Sequence, residues 1–347
     1  MVTAALHPAD PGALHAHAAH APLLSVRNLA VSFDLGRERF LGPRRSLQAV
    51  AGVSFDVAAG ETLGIVGESG CGKSTLARAL LGLVPATGSV RFRGHELIGR
   101  PERALRPFRR ELQIIFQDPL ASLDPRMTVE AIVTEPLQAL HPELGARQRH
   151  ARAAAMLERV GLSAVHLVRY PHEFSGGQAQ RIGIARALIV EPKVLVCDEP
   201  TSALDVSIKA QVINLLHDLQ RELQLTLLFI SHDLAIVRQI ATRVLVLYLG
   251  RVLELADAPA LYAAPGHPYT QALLNAIPDL GAALAGQPTQ DLLAGEPPSP
   301  IDVPDGCVFH PRCPWAVARC RAEVPALRKL DGRQIACHRA EEIREAS

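Results

Sequence analysis

The stretch "TLGIVGESGCGKSTLARALLGL", residues 62–83, constrains this chain more than any other. A short apolar run ends in glycine, a glycine-rich loop follows, and Leu76, Leu80 and Leu83 then recur at helical spacing, which reads as strand, loop and helix. Within it Gly67, Gly72, Lys73 and Ser74 stand at the Walker A spacing, with Gly70 and Thr75 completing the loop. Glycines let successive backbone N–H groups turn inward around phosphate oxygens, and the helix N-terminus adds its positive dipole end. Lys73 is then the residue to reach the β- and γ-phosphates, and Ser74 the hydroxyl for Mg²⁺. Cys71, inside the loop, reads as a packing residue.

Around this unit the chain alternates strands and helices. "LQIIFQ" (112–117), "KVLVCDE" (193–199) and "LTLLFISHD" (225–233) are candidate buried strands. "SIKAQVINLLHDLQREL" puts Val212, Leu215, Leu216, Leu219 and Leu223 on one helical stripe between two of them. Such alternation predicts a mostly parallel sheet covered by helices, an α/β fold. Before the loop, "LLSVRNLAVSF" and "AVAGVSFDV" flank the basic segment "DLGRERFLGPRRS" and predict an antiparallel edge. From Pro125 to Arg186 the reading is helical. Past about residue 255 the pattern dissolves into Pro- and Ala-rich segments, where a second, smaller domain is expected.

"VLVCDE" is a buried strand ending in two carboxylates, as a Walker B strand does. Asp198 suits Mg²⁺ held through its water shell, and Glu199 suits polarisation of an attacking water. Cys197 between strand and acids reads as a small core residue. Two acids after a strand could simply begin a solvated turn, but together with the phosphate loop they read as chemistry.

"FSGGQAQRIGIARAL", residues 174–188, resembles the signature of the ATP-binding cassette (ABC) ATPases and lies upstream of the Walker B strand, as it does in that family. Physically, "SGGQ" is a helix start with free N–H groups ready for an anion. The resemblance implies that Ser175, Gly176, Gly177 and Gln178 meet the γ-phosphate bound by another subunit. It further implies that Gln117 in "IIFQDP" is the Q-loop glutamine and a Mg²⁺ ligand beside Ser74 and Asp198. Asp205 closes the D-loop "SALD", and His232 in "ISHD" is the switch histidine. Phe33 takes the place of the aromatic residue that stacks on adenine, with Phe40 as a rival. Ala179 departs from the polar or basic residue usual in the family, beyond the phosphate-facing turn.

"ETLGIVGESGCGKST", "IIFQDPLASLDPRMTV" and "HPYTQALL" together look like the ATPase subunits of bacterial oligopeptide/dipeptide importers, and the long early loop resembles the second of their two paired ATPases. The resemblance covers residues 23 to about 340. It implies an α/β P-loop nucleotide-binding domain at 23–255, with a helical subdomain at about 120–186, after a disordered tail at 1–22. A C-terminal regulatory extension of the oligopeptide-transporter type fills 256–347. Its implied activity is ATP hydrolysis with Mg²⁺ that powers peptide import. The implied partners are a related ATPase forming a heterodimer, two membrane permease subunits and, indirectly, an extracytoplasmic solute-binding protein, with the chain peripheral on the cytoplasmic face of the membrane. One Walker A, one signature and one Walker B make it half of a dimer.

A soluble ABC ATPase acting on nucleic acid or ribosomes is the alternative. The second cassette of ribosome-acting members and the coiled coils or zinc inserts of DNA-repair members are not visible, and a formal charge of +1 gives no support for a nucleic-acid partner. An inactive binding module is disfavoured by the presence of Lys73, Asp198, Glu199 and His232.

Compartment decides how the six cysteines are read. "MVTAALHPADPGALHAHAAHAP" has no Lys or Arg before its apolar residues and no continuous apolar core, so it is not a secretory signal, and its four histidines read as part of a biased tail. No apolar run reaches the roughly 20 residues needed to span a bilayer. A cytosolic setting makes a disulfide framework unlikely to be the purpose of Cys307, Cys313, Cys320 and Cys337. These four are separated by five, six and sixteen residues. Four thiolates can serve tetrahedral zinc or a four-iron cluster; without a pair two to four residues apart the spacing favours the cluster, and the resemblance implies a [4Fe–4S] centre. Zinc is the alternative and unliganded thiols the third reading.

Overall fold

The computed structural model describes residues 21–37, 44–277 and 295–345. Phe40 and the histidines of the N-terminal segment lie outside the described residues. The chain begins with β1 (Leu24–Arg37) and β2 (Arg44–Val57), then β3 (Thr62–Val66), α1 (Lys73–Leu80), β4 (Thr87–Phe92) and β5 (His95–Glu96). Next come α2 (Glu102–Arg109), β6 (Leu112–Ile115), α3 (Val129–Leu140), α4 (Ala146–Arg159) and α5 (Gly176–Leu188). They are followed by β7 (Val194–Asp198), α6 (Val206–Leu223), β8 (Thr226–Ser231), α7 (Leu234–Ile240), β9 (Arg243–Tyr248) and β10 (Arg251–Asp257). The C-terminal part holds α8 (Ala258–Ala263), α9 (Pro268–Asn275), β11 (Arg328–Leu330) and β12 (Arg333–Ile335).

Two sheets result. The antiparallel one runs β2-β1-β4-β5, and the ends of the basic segment belong to it, with Asp34 opposite Ser46 and Gly36 opposite Arg45. The larger runs β11-β12-β10-β9-β3-β8-β7-β6, and its strands from β9 to β6 are parallel neighbours. Every residue of β3, β7 and β8 is buried, as expected of strands covered on both faces.

Side chains of successive residues go to opposite faces. Val194, Val196, Leu228 and Ile230 join one core with α1 and the antiparallel sheet. Leu195, Cys197, Leu227 and Phe229 join the other, which also takes Ile132 of α3, Met156 of α4, Ile182 of α5 and Val212 of α6. Each fully buried Leu or Phe stabilises this sandwich by roughly 1.5–3 kcal/mol relative to exposure, before conformational entropy is counted.

The C-terminal segment shares that second core. Tyr269 packs tilted against Tyr248 of β9 and Phe309 meets it edge-on, at ring-centroid distances of 4.7 and 5.5 Å. Residue 255, the expected boundary, lies inside β10, and β12 extends the same sheet through Glu254↔Ile335 and Leu255↔Gln334. Glu254 is fully buried there; its carboxylate accepts from the N–H groups of Gly266 (2.9 Å) and His267 (3.0 Å) and pairs with Arg333 at 3.2 Å.

The expected iron–sulfur or zinc centre is corrected by this structure. Among the described residues no group of three or more His, Cys, Asp or Glu side chains is placed to hold a metal ion. Cys307, Cys313, Cys320 and Cys337 do line one cavity, but it measures only about 10 Å³, with Phe309, Trp315 and Ile343 among its other lining residues. That is room for one water at most. Burial pushes the Cys313 thiol up to about 12 and Cys337 up to about 11, and raises Cys307 as well, and all four cysteines pack within the apolar clusters of this region.

Candidate active site

Parallel strands deliver their following residues to one edge of the sheet, and four neighbours do so here. β3 leads into the glycine loop and Lys73, β8 into His232, β7 into Glu199 and β6 into Gln117. The loop itself depends on two glycines. Gly67 has φ 156° and a Cβ there would meet the Leu247 carbonyl oxygen at 2.1 Å; Gly72 has φ 105° and would meet that of Ala49 at 2.1 Å. A side chain at either position would push the loop off β9 or β2.

Lys73 is buried, and its Nζ donates to the carbonyls of Gly67 (2.8 Å) and Glu68 (2.9 Å) and lies 3.6 Å from Glu199 Oε1. Ser74 Oγ donates to Asp198 Oδ1 at 2.8 Å, a bond spanning 124 residues. Burial raises the Asp198 carboxyl above its ordinary range, against the lowering by the Ser74 hydroxyl. Glu199 Oε2 accepts from Gln117 Nε2 at 3.2 Å and lies 3.2 Å from His232 Nδ1. Its backbone is left-handed, φ 44°, a conformation that costs a non-glycine residue roughly 1 kcal/mol or more. Bonds from Glu199 N–H to Ile230 O (3.1 Å) and from Ser202 N–H to Glu199 O (3.2 Å) hold it.

Beside these groups opens a cavity of about 270 Å³ lined by Phe33, Gly70, Gly72, Lys73, Ser74, Thr75, Gln117 and Glu199. Ser74 and Asp198 present hard oxygens 2.8 Å apart, a donor type that suits Mg²⁺, and Gln117 lines the same cavity as Ser74. Leu47, Gln48 and Ala49 of β2, Leu249 and Gly250 after β9, and Pro300 of the extension line the same cavity and are not among the residues expected from sequence. Gly250, which follows the apolar run of β9 and donates to the Cys71 carbonyl at 2.8 Å, carried a readable turn signal. Pro300, in a Pro-rich segment, carried none.

Ser175, Gly176, Gly177, Gln178 and Asp205 do not line this cavity. Ser175 caps α5: its Oγ accepts from Gln178 N–H at 3.4 Å while Gln178 Oε1 accepts from Ser175 N–H at 3.0 Å. The signature thus forms a helix N-terminus away from the chain's own phosphate loop.

A phosphate loop, the Ser74–Asp198 pair and a carboxylate held by glutamine and histidine, all at one edge of a parallel sheet, define a P-loop nucleotide hydrolase. Residues 50–202 match the family described as ABC transporter, and residues 253–320 the one described as oligopeptide/dipeptide transporter, C-terminal region. The chain belongs to the ABC transporter ATP-binding proteins, in their oligopeptide/dipeptide group. It is 52% identical over 318 residues to the oligopeptide transport ATP-binding protein OppF of Escherichia coli, covering 91% of this chain and 95% of that protein. It is 50% identical to the di/tripeptide transport ATP-binding protein DppF of Pseudomonas aeruginosa, covering 92% and 98%. Among solved structures, the ATP-binding cassette MJ0796 bound to ADP and Pi is 27% identical with a TM-score of 0.61, covering 68% of this chain and 98% of that one. CbiO1 of Clostridium perfringens is 28% identical with a TM-score of 0.59, covering 70% and 92%.

Proposed function

We propose that this chain is the ATP-hydrolysing subunit that powers peptide import through a membrane ABC transporter. The observation that carries the reading is one chain joining a full phosphate-loop site to an oligopeptide-type extension, as the peptide-transport ATP-binding relatives do. Those relatives lend nothing to action on nucleic acid or ribosomes.

In this reading the loop N–H groups of residues 67–75 receive the phosphates, and Lys73 leaves the Gly67 and Glu68 carbonyls to meet the β- and γ-phosphates. Ser74, Asp198 and Gln117 would hold Mg²⁺, whose chemistry when bound is to neutralise charge between the phosphate oxygens. Glu199 polarises the attacking water, with His232 and Gln117 orienting its carboxylate. Phe33 stacks on the base. Residues 23–255 form the cassette, about 120–186 its helical subdomain, and 256–347 the extension.

A second, related ATPase completes the site. The α5 N-terminus, Ser175 to Gln178, meets the γ-phosphate held by that partner, with Asp205 at the seam beside Val206, which is 84% exposed. Two permease subunits dock near Gln117 and the helical region, where Leu120, Val165, Val168 and Tyr170 leave apolar side chains exposed. That contact places the chain on the cytoplasmic face of the membrane; among its described residues no helix is long and apolar enough to cross one. A solute-binding protein delivers peptide from the other side. The test is reconstitution with the permease subunits, the second ATPase and the binding protein in liposomes: ATP-driven uptake of labelled peptides is expected, and ATP hydrolysis without uptake of any di- to oligopeptide would overturn the reading.

A further inference from the structure

Glu68 follows the first glycine of the phosphate loop, and four groups hold it. Its carbonyl accepts from Lys73 Nζ at 2.9 Å and from Cys71 N–H at 3.3 Å. The other two groups come from the C-terminal extension. Tyr269 Oη accepts its N–H at 2.9 Å, and Arg312 Nη1 meets both carboxylate oxygens, at 3.0 and 2.8 Å, across 244 residues of sequence. The Arg312 side chain is 6% exposed and that of Glu68 22%. Arg312 is itself fixed: it ends the short 3-10 turn His310–Arg312, its N–H donates to the Phe309 carbonyl at 3.0 Å, and the Phe309 ring lies 5.3 Å from that of Tyr269.

Glu68 does not itself line the 270 Å³ cavity, but a carboxylate carried by the loop that receives a triphosphate is still an electrostatic liability, because like charges repel and do so most strongly where water is excluded. The arrangement removes it by pairing Glu68 with a guanidinium that the cassette does not itself supply. We propose that Arg312 is a positioning residue of the nucleotide site, neutralising Glu68 and holding the loop in its phosphate-receiving shape, so that the extension tunes ATP affinity. This rests on reading the loop as an ATP site. The bland reading, a staple that only fastens the extension to the cassette, predicts lost stability without a charge-specific change in binding.

The experiment is calorimetric titration of the full chain with MgATP, alongside thermal melts without nucleotide. Arg312→Gln should weaken MgATP binding about tenfold, the scale of coupling between contacting groups. Arg312→Lys should recover most of the loss. The double variant E68Q/R312Q, which removes the charge together with its partner, should bind within about threefold of the parent. A double variant as weak as R312Q, or an R312Q chain that binds within about twofold of the parent, overturns the inference. If R312Q does not fold, E68Q alone decides: binding at least as tight as the parent supports the charge argument, and weaker binding overturns it. A parent chain that binds no MgATP overturns the reading of the site itself, whereas a binding parent with an indifferent R312Q overturns only the role of Arg312.

Discussion

His232 Nδ1 lies 3.2 Å from Glu199 Oε2 although they stand 33 positions apart in sequence, because β7 and β8 are parallel neighbours that end at the same edge of the sheet. The contact makes the Glu199 carboxylate the junction between Lys73 of the phosphate loop, Gln117 after β6 and His232 after β8.

Replacing that carboxylate should separate binding from turnover. Glu199→Gln leaves Lys73 and the Ser74–Asp198 pair in place, so nucleotide binding should persist while hydrolysis in the assembled transporter falls about a hundredfold or more. Turnover near the parental value would remove Glu199 from the role of base.

Shared sites make a different demand. Ser175→Arg alters the start of α5, away from the cavity of its own chain, so MgATP binding to this subunit should stay near parental. Hydrolysis at the partner's site should drop roughly a hundredfold, the scale for losing an anion-stabilising group. Single-turnover assays with the partner's own phosphate-loop lysine intact or replaced check this. An isolated monomer that hydrolyses ATP as fast as the assembly would refute sharing.

The attachment of the extension hangs on a buried carboxylate. Glu254→Ala would leave the charge of Arg333, whose side chain is 10% exposed, without its carboxylate, although its guanidinium keeps the Ala264 and Ala260 carbonyls, and would strand the N–H groups of Gly266 and His267. Removing one partner of such a buried pair costs about 3–5 kcal/mol. Urea melts should show a loss on that scale, and limited proteolysis should release fragments from beyond β10. A loss under about 1 kcal/mol would mean that the carboxylate is dispensable.

His267 gives stability a pH dependence. It is buried at the start of α9, where its Nδ1 accepts the Tyr269 N–H at 3.0 Å, and burial lowers its imidazole from 6.5 to about 3. Between those values the unfolded chain takes a proton that the native state refuses. The contribution is therefore full above 6.5 and is lost as pH falls toward 3, at up to about 1.4 kcal/mol per unit. His267→Asn keeps a cap acceptor without the titration, so between about pH 7.5 and about pH 5.5 the parent should lose roughly 1 kcal/mol more than the variant in denaturant melts. Parallel pH profiles would contradict this.

Local features were legible from residues alone. A phosphate loop must be contiguous backbone between a strand and a helix, so Gly67 to Ser74 announce it wherever the chain goes, and acids or a histidine at the end of an apolar run carry their position with them. That is why Lys73, Ser74, Asp198 and Glu199, and the parallel sheet behind them, could be read from the residues before any contact was known, whereas His232 and Gln117 stand out only through the family resemblance. β9 and β10 are not among the strands expected from sequence, because an apolar run such as "VLVLYL" suits a buried helix as well as a strand and only its neighbours choose. The cysteines show the same limit from the other side. Their spacing is compatible with a metal, and whether four thiols surround an ion or each other depends on how tightly the folded chain packs around them, here leaving about 10 Å³. Arg312 and Glu68, 244 residues apart, meet only because β12 adds to β10 and Tyr269 and Phe309 bury against Tyr248. Pairings of that kind are decided by which distant surfaces exclude water together, a property of the folded chain that no short stretch of it contains.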